Sequence, residues 1–388
     1  MKVSNREKLL IVSWTLHPWM TGSSVIVNNV AAQFSPDEMV LLGEKPTKSH
    51  SEVWPDKNPC IYYIDPNFTI GGRGTRYLRW LNFNRCFKQA KDIVKREGVT
   101  HVLAIFPDDF YLYLAFRLSN HFDLPFYTWF HNTYLDNYSG IRKKIAAYLQ
   151  PRVWRKAKKN WVMSDGMLHF YQQKYPGVAF STLRHGFPLQ VPEYKAINFQ
   201  KDRLSFVFTG SLNASCEDAA LRMMRHILQY PNFDLHVYTG SSLEYFERQG
   251  ISGDQFHHHG FIPLEELYQA LRQYDIMLLP HGFDGKRTDV EFQTIFPTRT
   301  IPLLLSNRPI LAHSPPNVFL TNFLLENDCA LVVDQKEDQE LDLAIKTLIE
   351  NDDRRAELIQ NALRTAEQFD ISVTTAQIQA EIYSYAHP

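Results

Sequence analysis

The sequence has few of the features that mark several large protein classes. It contains only 4 cysteines in 388 residues: Cys60, Cys86, Cys216 and Cys329. They form neither a CxxC pair nor a zinc-ligand spacing, so we expect a reduced, cytosolic chain rather than a disulfide framework. The sequence contains no run of about 18 apolar residues, which is the length needed to span a bilayer. The apolar stretch Leu9 to Trp14 is too short for the core of a signal peptide and is typical of a strand.

The chain also lacks an excess of charge of either sign. Its 41 basic and 42 acidic side chains leave a net charge of −1, so the whole-chain basic field of many nucleic-acid-binding proteins is absent. There are only 17 glycines and 21 prolines, and hydrophobic residues make up 44%. This composition excludes collagen-like, low-complexity and wholly disordered chains. The length predicts two or three domains.

The first half alternates short apolar runs with helical patterns. Lys8 to Trp14 predicts a strand, and a turn at Thr21 to Ser24 then leads into a helix. Further strands are predicted at 101–106, 126–130 and 161–164, with a helix at 111–118. This alternation is typical of a parallel sheet covered by helices.

The same plan restarts after a polar, proline-containing segment at 188–203, which we interpret as a linker. Strands are predicted at 204–209, 235–238, 276–279, 310–312 and 330–333, with helices between them. The final stretch, 372–388, predicts one more helix that packs back on the first domain. The sequence therefore predicts an α/β protein with two Rossmann-like domains, 1–187 and 204–371, facing each other across a cleft.

Ligands of open parallel sheets bind where strands end and loops enter helices, which directs attention to three loops. Gly22 in the first loop has no Cβ and lets the backbone approach a ligand closely, although the Thr and Ser beside it equally suit a helix cap. The loop at Gly210 and Ser211 could set amide groups and a hydroxyl against a phosphate. An ordinary strand-to-helix turn explains that loop almost as well.

The third loop runs from Asp284 through Arg287 to Pro297-Thr298-Arg299. Pro297 suits the first turn of a helix, where its missing N–H costs nothing. The free N–H groups behind it, the helix dipole and the Arg299 guanidinium would together hold a diphosphate. The alternative is a capped surface helix with solvated arginines.

An ordered set of short motifs runs along nearly the whole chain. They are the glycine loop at Gly22, His131-Asn132, Val162 to Asp165, Leu183 to Gly186, Gly210 to Leu212, Gly260 to Leu267, Asp275 to Pro280, Phe296 to Arg299, and Arg308 to Ile310. In this order they resemble the GT-B glycosyltransferases, and among them the large retaining family 4. The resemblance implies an enzyme that moves a sugar from a nucleotide-sugar donor to a glycan, lipid-linked or small-molecule acceptor, with retention. The second domain would bind the donor and the first the acceptor.

The resemblance also implies the site residues. His131 would act catalytically beside the donor sugar, although a lone histidine at a strand end is otherwise more often structural. The implied donor-binding set is Gly22, Gly210, Ser211, Gly260, Phe261, Ile262, Arg287, Pro297, Thr298 and Arg299. Neither His257 to His259 nor Asp108-Asp109 has a metal-ligand spacing. We therefore expect no metal and no cofactor besides the donor substrate.

Two positions depart from the family pattern. Pro302 stands where members usually carry the second of two glutamates, and Ser211 stands where they usually carry an arginine. Fewer positively charged side chains would therefore surround the diphosphate. Arg299, with help from Arg287, would supply more of the positive charge. The departures keep two alternatives open: a non-catalytic, degenerate transferase that acts as a partner or scaffold, and a sugar-nucleotide epimerase of the same fold, which needs carboxylates in the cleft.

The segment Ile141 to Asn160 is locally basic. It holds eight basic residues and no acidic one, interleaved with apolar side chains. Such an amphipathic stretch is typical of attachment to an anionic membrane surface, so we predict a cytoplasmic enzyme that is peripheral on the inner face of the membrane. A solvated helix face is the alternative. Nucleic-acid binding is not expected, because no stacking aromatics are spaced for it.

Overall fold

The computed structural model describes residues 7–19, 22–46, 53–66, 78–199, 203–283 and 289–383. The chain divides into two compact units. Unit 1 consists of residues 1–188 together with 369–388, and unit 2 consists of residues 189–368. None of the helices in the described ranges is both long enough and apolar enough to cross a membrane.

Unit 1 contains a seven-stranded parallel sheet with the strand order β3-β2-β1-β4-β5-β6-β7. The strands are β1 (Leu9–Val12), β2 (Met39–Glu44), β3 (Cys60–Ile64), β4 (His101–Phe106), β5 (Phe126–Phe130), β6 (Lys159–Val162) and β7 (Phe180–Thr182). Every residue of β1, β2, β4 and β5 is buried. Strands covered on both faces need apolar residues at successive positions, which is why these four are continuous apolar runs.

Helices connect these strands. They are α1 (Gly22–Ala31), α2 (Phe83–Glu97), α3 (Asp109–Phe122), α4 (Gly140–Lys156) and α5 (Asp165–Lys174). The start of α3 is fixed by Asp108, whose carboxylate accepts hydrogen bonds from the N–H groups of Phe110 and Tyr111 at 3.0 and 3.3 Å. Because Asp108 caps this helix, Asp108 and Asp109 lie just after β4, at the carboxyl edge of the sheet.

Unit 2 contains a six-stranded parallel sheet with the order β10-β9-β8-β11-β12-β13. Its strands are β8 (Leu204–Thr209), β9 (Phe233–Tyr238), β10 (Phe256–Gly260), β11 (Ile276–Pro280), β12 (Ile310–His313) and β13 (Leu331–Val333). Its helices are α6 (Glu217–Ile227), α7 (Leu243–Arg248), α8 (Leu264–Leu271), α9 (Asp289–Thr294), α10 (Thr300–Leu304), α11 (Phe319–Glu326), α12 (Asp338–Glu350) and α13 (Asp352–Ala366).

The last helix, α14 (Ile371–Tyr383), returns to unit 1, where it packs on α1. Its Ile378 and Ile382 are fully buried. The indole of Trp161 in β6 donates to Glu381 at 3.1 Å. A Cβ on Gly186 would lie 2.6 Å from Ile371 Cδ1, so the segment after β7 needs a glycine to pass this helix.

The predicted architecture of two helix-covered parallel sheets is confirmed. One local prediction is wrong: Gly22 to Ser24 is not a turn before the helix but the first turn of α1. The side chain of Ser24 is fully buried, and its hydroxyl donates to the carbonyl of Trp19 at 2.6 Å. This bond holds the start of the helix against the loop that follows β1.

Candidate functional site

In both sheets the strand order reverses beside the first strand of the unit: between β1 and β4 in unit 1, and between β8 and β11 in unit 2. Open parallel sheets bind ligands outside the carboxyl ends of the strands at such points. The polar residues at these two edges are therefore the candidate site residues.

His131 follows β5 at the carboxyl edge of unit 1 and is only 3% exposed. Its Nδ1 lies 3.1 Å from the Oγ of Ser23 in α1. Its Nε2 is buried and has no hydrogen-bond partner among the described residues. Burial, with a smaller contribution from neighbouring His185, holds the pKa of His131 well below its usual value. The ring is thus neutral near pH 7, and its second nitrogen is unused.

A second histidine lies beside His131, and the sequence had given it no role. His185 follows β7, and the centroids of the two rings are 4.9 Å apart. It is 5% exposed, and its Nε2 is likewise buried without a partner in the described chain. Burial lowers the pKa of His185 to about 4. The sequence signal was the motif Leu183 to Gly186, which shows where this residue lies along the chain but not which residue its ring meets.

The carboxylates at the same edge are bound to an arginine. Arg79 Nη2 lies 2.9 and 2.8 Å from the two oxygens of Asp108 and 2.9 Å from Asp109 Oδ1. All three side chains are buried. Asp108 and Asp109 therefore serve the fold of unit 1. Among the residues that the structure describes, no three His, Cys, Asp or Glu side chains are grouped so that they could hold a metal ion.

Arg299 lies at the carboxyl edge of unit 2. Its guanidinium donates to the carbonyl oxygens of Thr209 and Ser211 at 3.2 and 2.5 Å, and it lies 5.0 Å from the Phe208 ring. Gly210 has a φ of 101°, and a Cβ there would meet Arg299 Cζ at 3.4 Å. Glycine thus provides both the backbone conformation and the space for the guanidinium. The structure therefore brings three residues of the predicted donor set together: Gly210, Ser211 and Arg299.

The prediction that Pro297 begins a helix is wrong. Helix α10 starts at Thr300 and has only five residues. The N–H groups of Thr300 and Ile301 already bond to the carbonyls of Pro297 and Thr298, at 2.9 and 3.3 Å. Pro297 and Thr298 form a turn before the helix, so the local positive charge is the Arg299 guanidinium. Arg287 lies outside the described residues.

Arg222 and His313 also lie at this edge, although no motif in the sequence pointed to them. Arg222 Nη1 donates to Nε2 of His313 at 2.8 Å, and Nδ1 of the same ring is 3.0 Å from the carbonyl of Val333. Because a guanidinium can only donate, His313 carries its proton on Nδ1. Burial lowers the pKa of His313 to about 4. A neutral imidazole therefore holds Arg222 at the end of β12.

Three residues of the predicted donor-binding set, Gly260, Phe261 and Ile262, form the end of β10 and the loop after it. Gly260 has a φ of 72°, Phe261 is 66% exposed and Ile262 is half-buried. Before this loop, His257 and His259 stack on His236 of β9, with ring centroids 4.4 and 5.2 Å apart. The loop thus presents an exposed aromatic ring at the end of an edge strand.

No family model and no curated protein matches the sequence. Solved structures do match it, along nearly its whole length. Sucrose-phosphate synthase from Thermosynechococcus elongatus superposes with a TM-score of 0.76 at 13% identity, covering 99% of this chain and 100% of that one. The fold is the GT-B glycosyltransferase fold.

Two further GT-B structures support this conclusion. HepE from Anabaena, in complex with UDP and glucose, has a TM-score of 0.71 at 14% identity and covers 98% of this chain and 100% of its own. The lipopolysaccharide outer core galactosyltransferase WaaB has a TM-score of 0.64 at 14% identity, with coverages of 98% and 99%. The GT-B fold that the motif order predicts is therefore confirmed, whereas membership of family 4 stays a prediction.

Proposed function

We propose that the protein is a glycosyltransferase that uses a nucleotide-sugar donor. One observation carries the proposal: the point of strand-order reversal in unit 2 brings Gly210, Ser211 and Arg299 into contact. A glycine loop beside a guanidinium is suited to a diphosphate, because backbone can approach the oxygens and the arginine supplies charge-assisted hydrogen bonds. HepE, which has the same fold, is in complex with UDP and glucose.

The donor would bind unit 2 through its nucleotide. The diphosphate would lie against Gly210 and Ser211, and Arg299 would exchange its bond to the Ser211 carbonyl for bonds to phosphate oxygens. Arg222, held by neutral His313 and 4.0 Å from the Asp218 carboxylate, supplies a second guanidinium at this edge. The base would stack on the exposed Phe261 after β10. The charge on the leaving diphosphate is then balanced by arginine, and the mechanism needs no metal.

The reaction would follow a front-face route with retention. Double displacement needs a nucleophilic carboxylate, and Asp108 and Asp109 are engaged by Arg79. In the front-face route the bond between the anomeric carbon and the phosphate oxygen breaks while the acceptor oxygen bonds to the same face of that carbon. The acceptor proton passes to the leaving phosphate. His131 would hydrogen-bond a sugar hydroxyl through its free Nε2.

A non-catalytic partner is the second candidate, and a specific observation favours it. Helix α6, which follows the Gly210 loop, carries Glu217 and Asp218 in its first turn. Acidic side chains at a helix start oppose the binding of an anion there. Pro302, which replaces a family glutamate, is buried within α10. A degenerate transferase would keep the fold with these changes.

The test is the release of nucleoside diphosphate from a panel of UDP-, GDP- and ADP-sugars, together with calorimetry of UDP binding in EDTA. Release with turnover supports the enzyme. Binding of UDP without release from any donor of the panel favours the non-catalytic partner. A strict requirement for magnesium or manganese contradicts the metal-free mechanism.

We also propose that α4 attaches the protein to an anionic membrane. Its exposed face carries Ile141 and Tyr148, which are 67% and 60% exposed, beside Lys143, Lys144 and Arg155. These three cations form no ion pair with any described residue. Other cations of the segment do: Arg142 with Asp109 at 3.9 Å, Lys156 with Asp123 at 3.6 Å, and Lys159 with Glu381 at 3.1 Å.

Vesicle sedimentation tests this attachment. Each basic residue near an anionic surface contributes about 1 kcal/mol, decreasing with salt. Replacement of Lys143, Lys144 and Arg155 by Gln should release the protein from phosphatidylserine vesicles. The matched control replaces Lys57, Lys88 and Lys95, three exposed lysines elsewhere in unit 1, and should still bind. Equal loss in both variants would show a non-specific charge effect and contradict the proposal.

A further inference from the structure

His131 and His185 form a pair of buried imidazoles at the carboxyl edge of unit 1. Their rings meet at 63° with centroids 4.9 Å apart, and the Trp129 ring lies 4.5 Å from the first and 6.2 Å from the second. The strand β6 separates the two strands from which they come. The pair is therefore a product of the sheet and not of local sequence.

Each ring has one buried nitrogen that is not used by the fold. Neither Nε2 has a hydrogen-bond partner among the described residues. An unpaired polar atom in the interior is destabilising. Other described side chains also have such an atom, among them Tyr134 and His281. His131 and His185 differ in that their two rings are in contact at the carboxyl edge of the sheet. Packing alone does not explain why both residues are histidines. A phenylalanine at either position would have a ring of similar size that could pack edge-on against Trp129, and it would have no nitrogen to leave unpaired.

A hydrogen bond holds the ring of His131, and packing holds the backbone beside His185. Ser23 Oγ holds the other nitrogen of His131 at 3.1 Å. Behind His185, the Cβ-free backbone of Gly186 packs against Ile371 and Thr374, and its carbonyl accepts from Asn29 Nδ2 at 3.3 Å. Two unused nitrogens on rigid supports are suited to recognise a ligand with a defined geometry.

We propose that His131 and His185 together bind an uncharged, hydroxyl-bearing part of the sugar substrate, each through its Nε2. This inference rests on the proposed glycosyltransferase function and adds His185 as a second substrate-binding residue. A neutral imidazole either donates or accepts at Nε2 according to its tautomer, and a hydroxyl group can do both. Burial lowers the pKa values of both histidines, which favours the neutral form of both rings.

The test compares three replacements of His185. The amide nitrogen of glutamine overlies Nε2 of histidine, that of asparagine overlies Nδ1, and phenylalanine keeps only the ring. We expect His185→Phe and His185→Asn to lose at least tenfold in turnover of the donor that the wild-type chain uses, while His185→Gln retains most of it. UDP affinity should stay unchanged in all three. The melting temperature of His185→Phe should equal or exceed that of the wild type, because an unpaired polar atom is removed.

His101 provides the matched control. It is also a buried histidine, and its pKa is also lowered by burial, but it begins β4 and so lies at the opposite edge of the same sheet. His101→Phe should retain full turnover. A folded His185→Phe protein with full turnover would overturn the proposal. Absence of turnover in the wild type on every donor would overturn the glycosyltransferase function itself, so the two failures are distinguishable.

Discussion

An arginine lies at the carboxyl edge of each sheet, and the two arginines differ in what they bind. In unit 1, Arg79 is buried and its charge is compensated by Asp108 and Asp109. In unit 2, Arg299 is partly exposed and donates to carbonyl oxygens, with no carboxylate within 4 Å among the described residues. A compensated arginine has little left to offer a ligand, whereas an arginine held only by neutral groups can still attract an anion.

The comparison separates two kinds of edge. The groups left for a ligand in unit 1 are the neutral rings of His131 and His185, which suit hydroxyl groups. The group left in unit 2 is a positive charge, which suits phosphate. Position matters as well as pairing: Arg308 also donates to carbonyls, but it precedes β12 and so lies at the amino edge of the sheet.

The largest effect should come from Arg79. Replacement by Met removes the guanidinium that binds both buried carboxylates, of which Asp109 still lies 3.9 Å from Arg142. This should lower the free energy of unfolding by about 3–5 kcal/mol. Urea denaturation measures it. Arg299→Met should cost far less stability. If both variants unfold at the same urea concentration, the two arginines do not differ as the structure indicates.

His131 should affect chemistry more than stability. His131→Ala should lower turnover by about 100-fold, the size found when a positioned hydrogen-bond donor is removed from a reacting group, and leave UDP affinity almost unchanged. The measurement is turnover at saturating donor, paired with the melting temperature. A folded variant with undiminished turnover would return His131 to a structural role.

Arg299 should affect nucleotide binding. Removing a charge-assisted contact to phosphate costs about 1.5–3 kcal/mol, so Arg299→Ala should weaken UDP binding by roughly 10- to 150-fold. Arg308→Ala is the control, because it also removes bonds to carbonyls but at the opposite edge. Calorimetry in EDTA measures both. Unchanged UDP affinity in Arg299→Ala would remove this residue from the diphosphate site.

The smallest expected effect is an increase in the affinity for UDP. Ser211→Arg adds a cation at the position where the resemblance to family 4 implies one, next to the loop that would hold the diphosphate. We expect UDP affinity to rise by about 1 kcal/mol, since part of the new contact is offset by repulsion from Arg299. Competition against UDP distinguishes the variant from the wild type. Weaker binding would indicate that the anion does not reach Ser211.

The sequence predicted the sheets better than the site. Strand β8 is found where the apolar run 204–209 placed it, because a strand buried on both faces needs apolar residues throughout. Strands β2 and β3 were not predicted. Strand β3 is a partly exposed edge strand with no clear alternation, whereas β2 is buried throughout and its apolar run was available in the sequence. Helix α2, also missed, has a strongly amphipathic pattern that was available in the sequence.

The site was harder to predict because its contacts are long-range. His131 was found from its motif, yet its contact with His185 joins residues on β5 and β7 with another strand between them. The Arg299 contact with Ser211 spans 88 positions. The error at Pro297 has a local cause. A proline in the first turn of a helix and a proline in a turn before the helix can have the same sequence, and here the helix begins three residues later, at Thr300.

Helix α14 has a consequence for the newly made chain. Unit 1 draws on both ends of the sequence, whereas unit 2 is one uninterrupted stretch, 189–368. All of unit 2 is therefore translated before the helix that covers β6 and contacts Trp161 and Gly186. Domains usually finish folding in the order of their first residues. Of the two sheets, the one that is translated first is completed only when α14 has been made, so its apolar face needs protection until then.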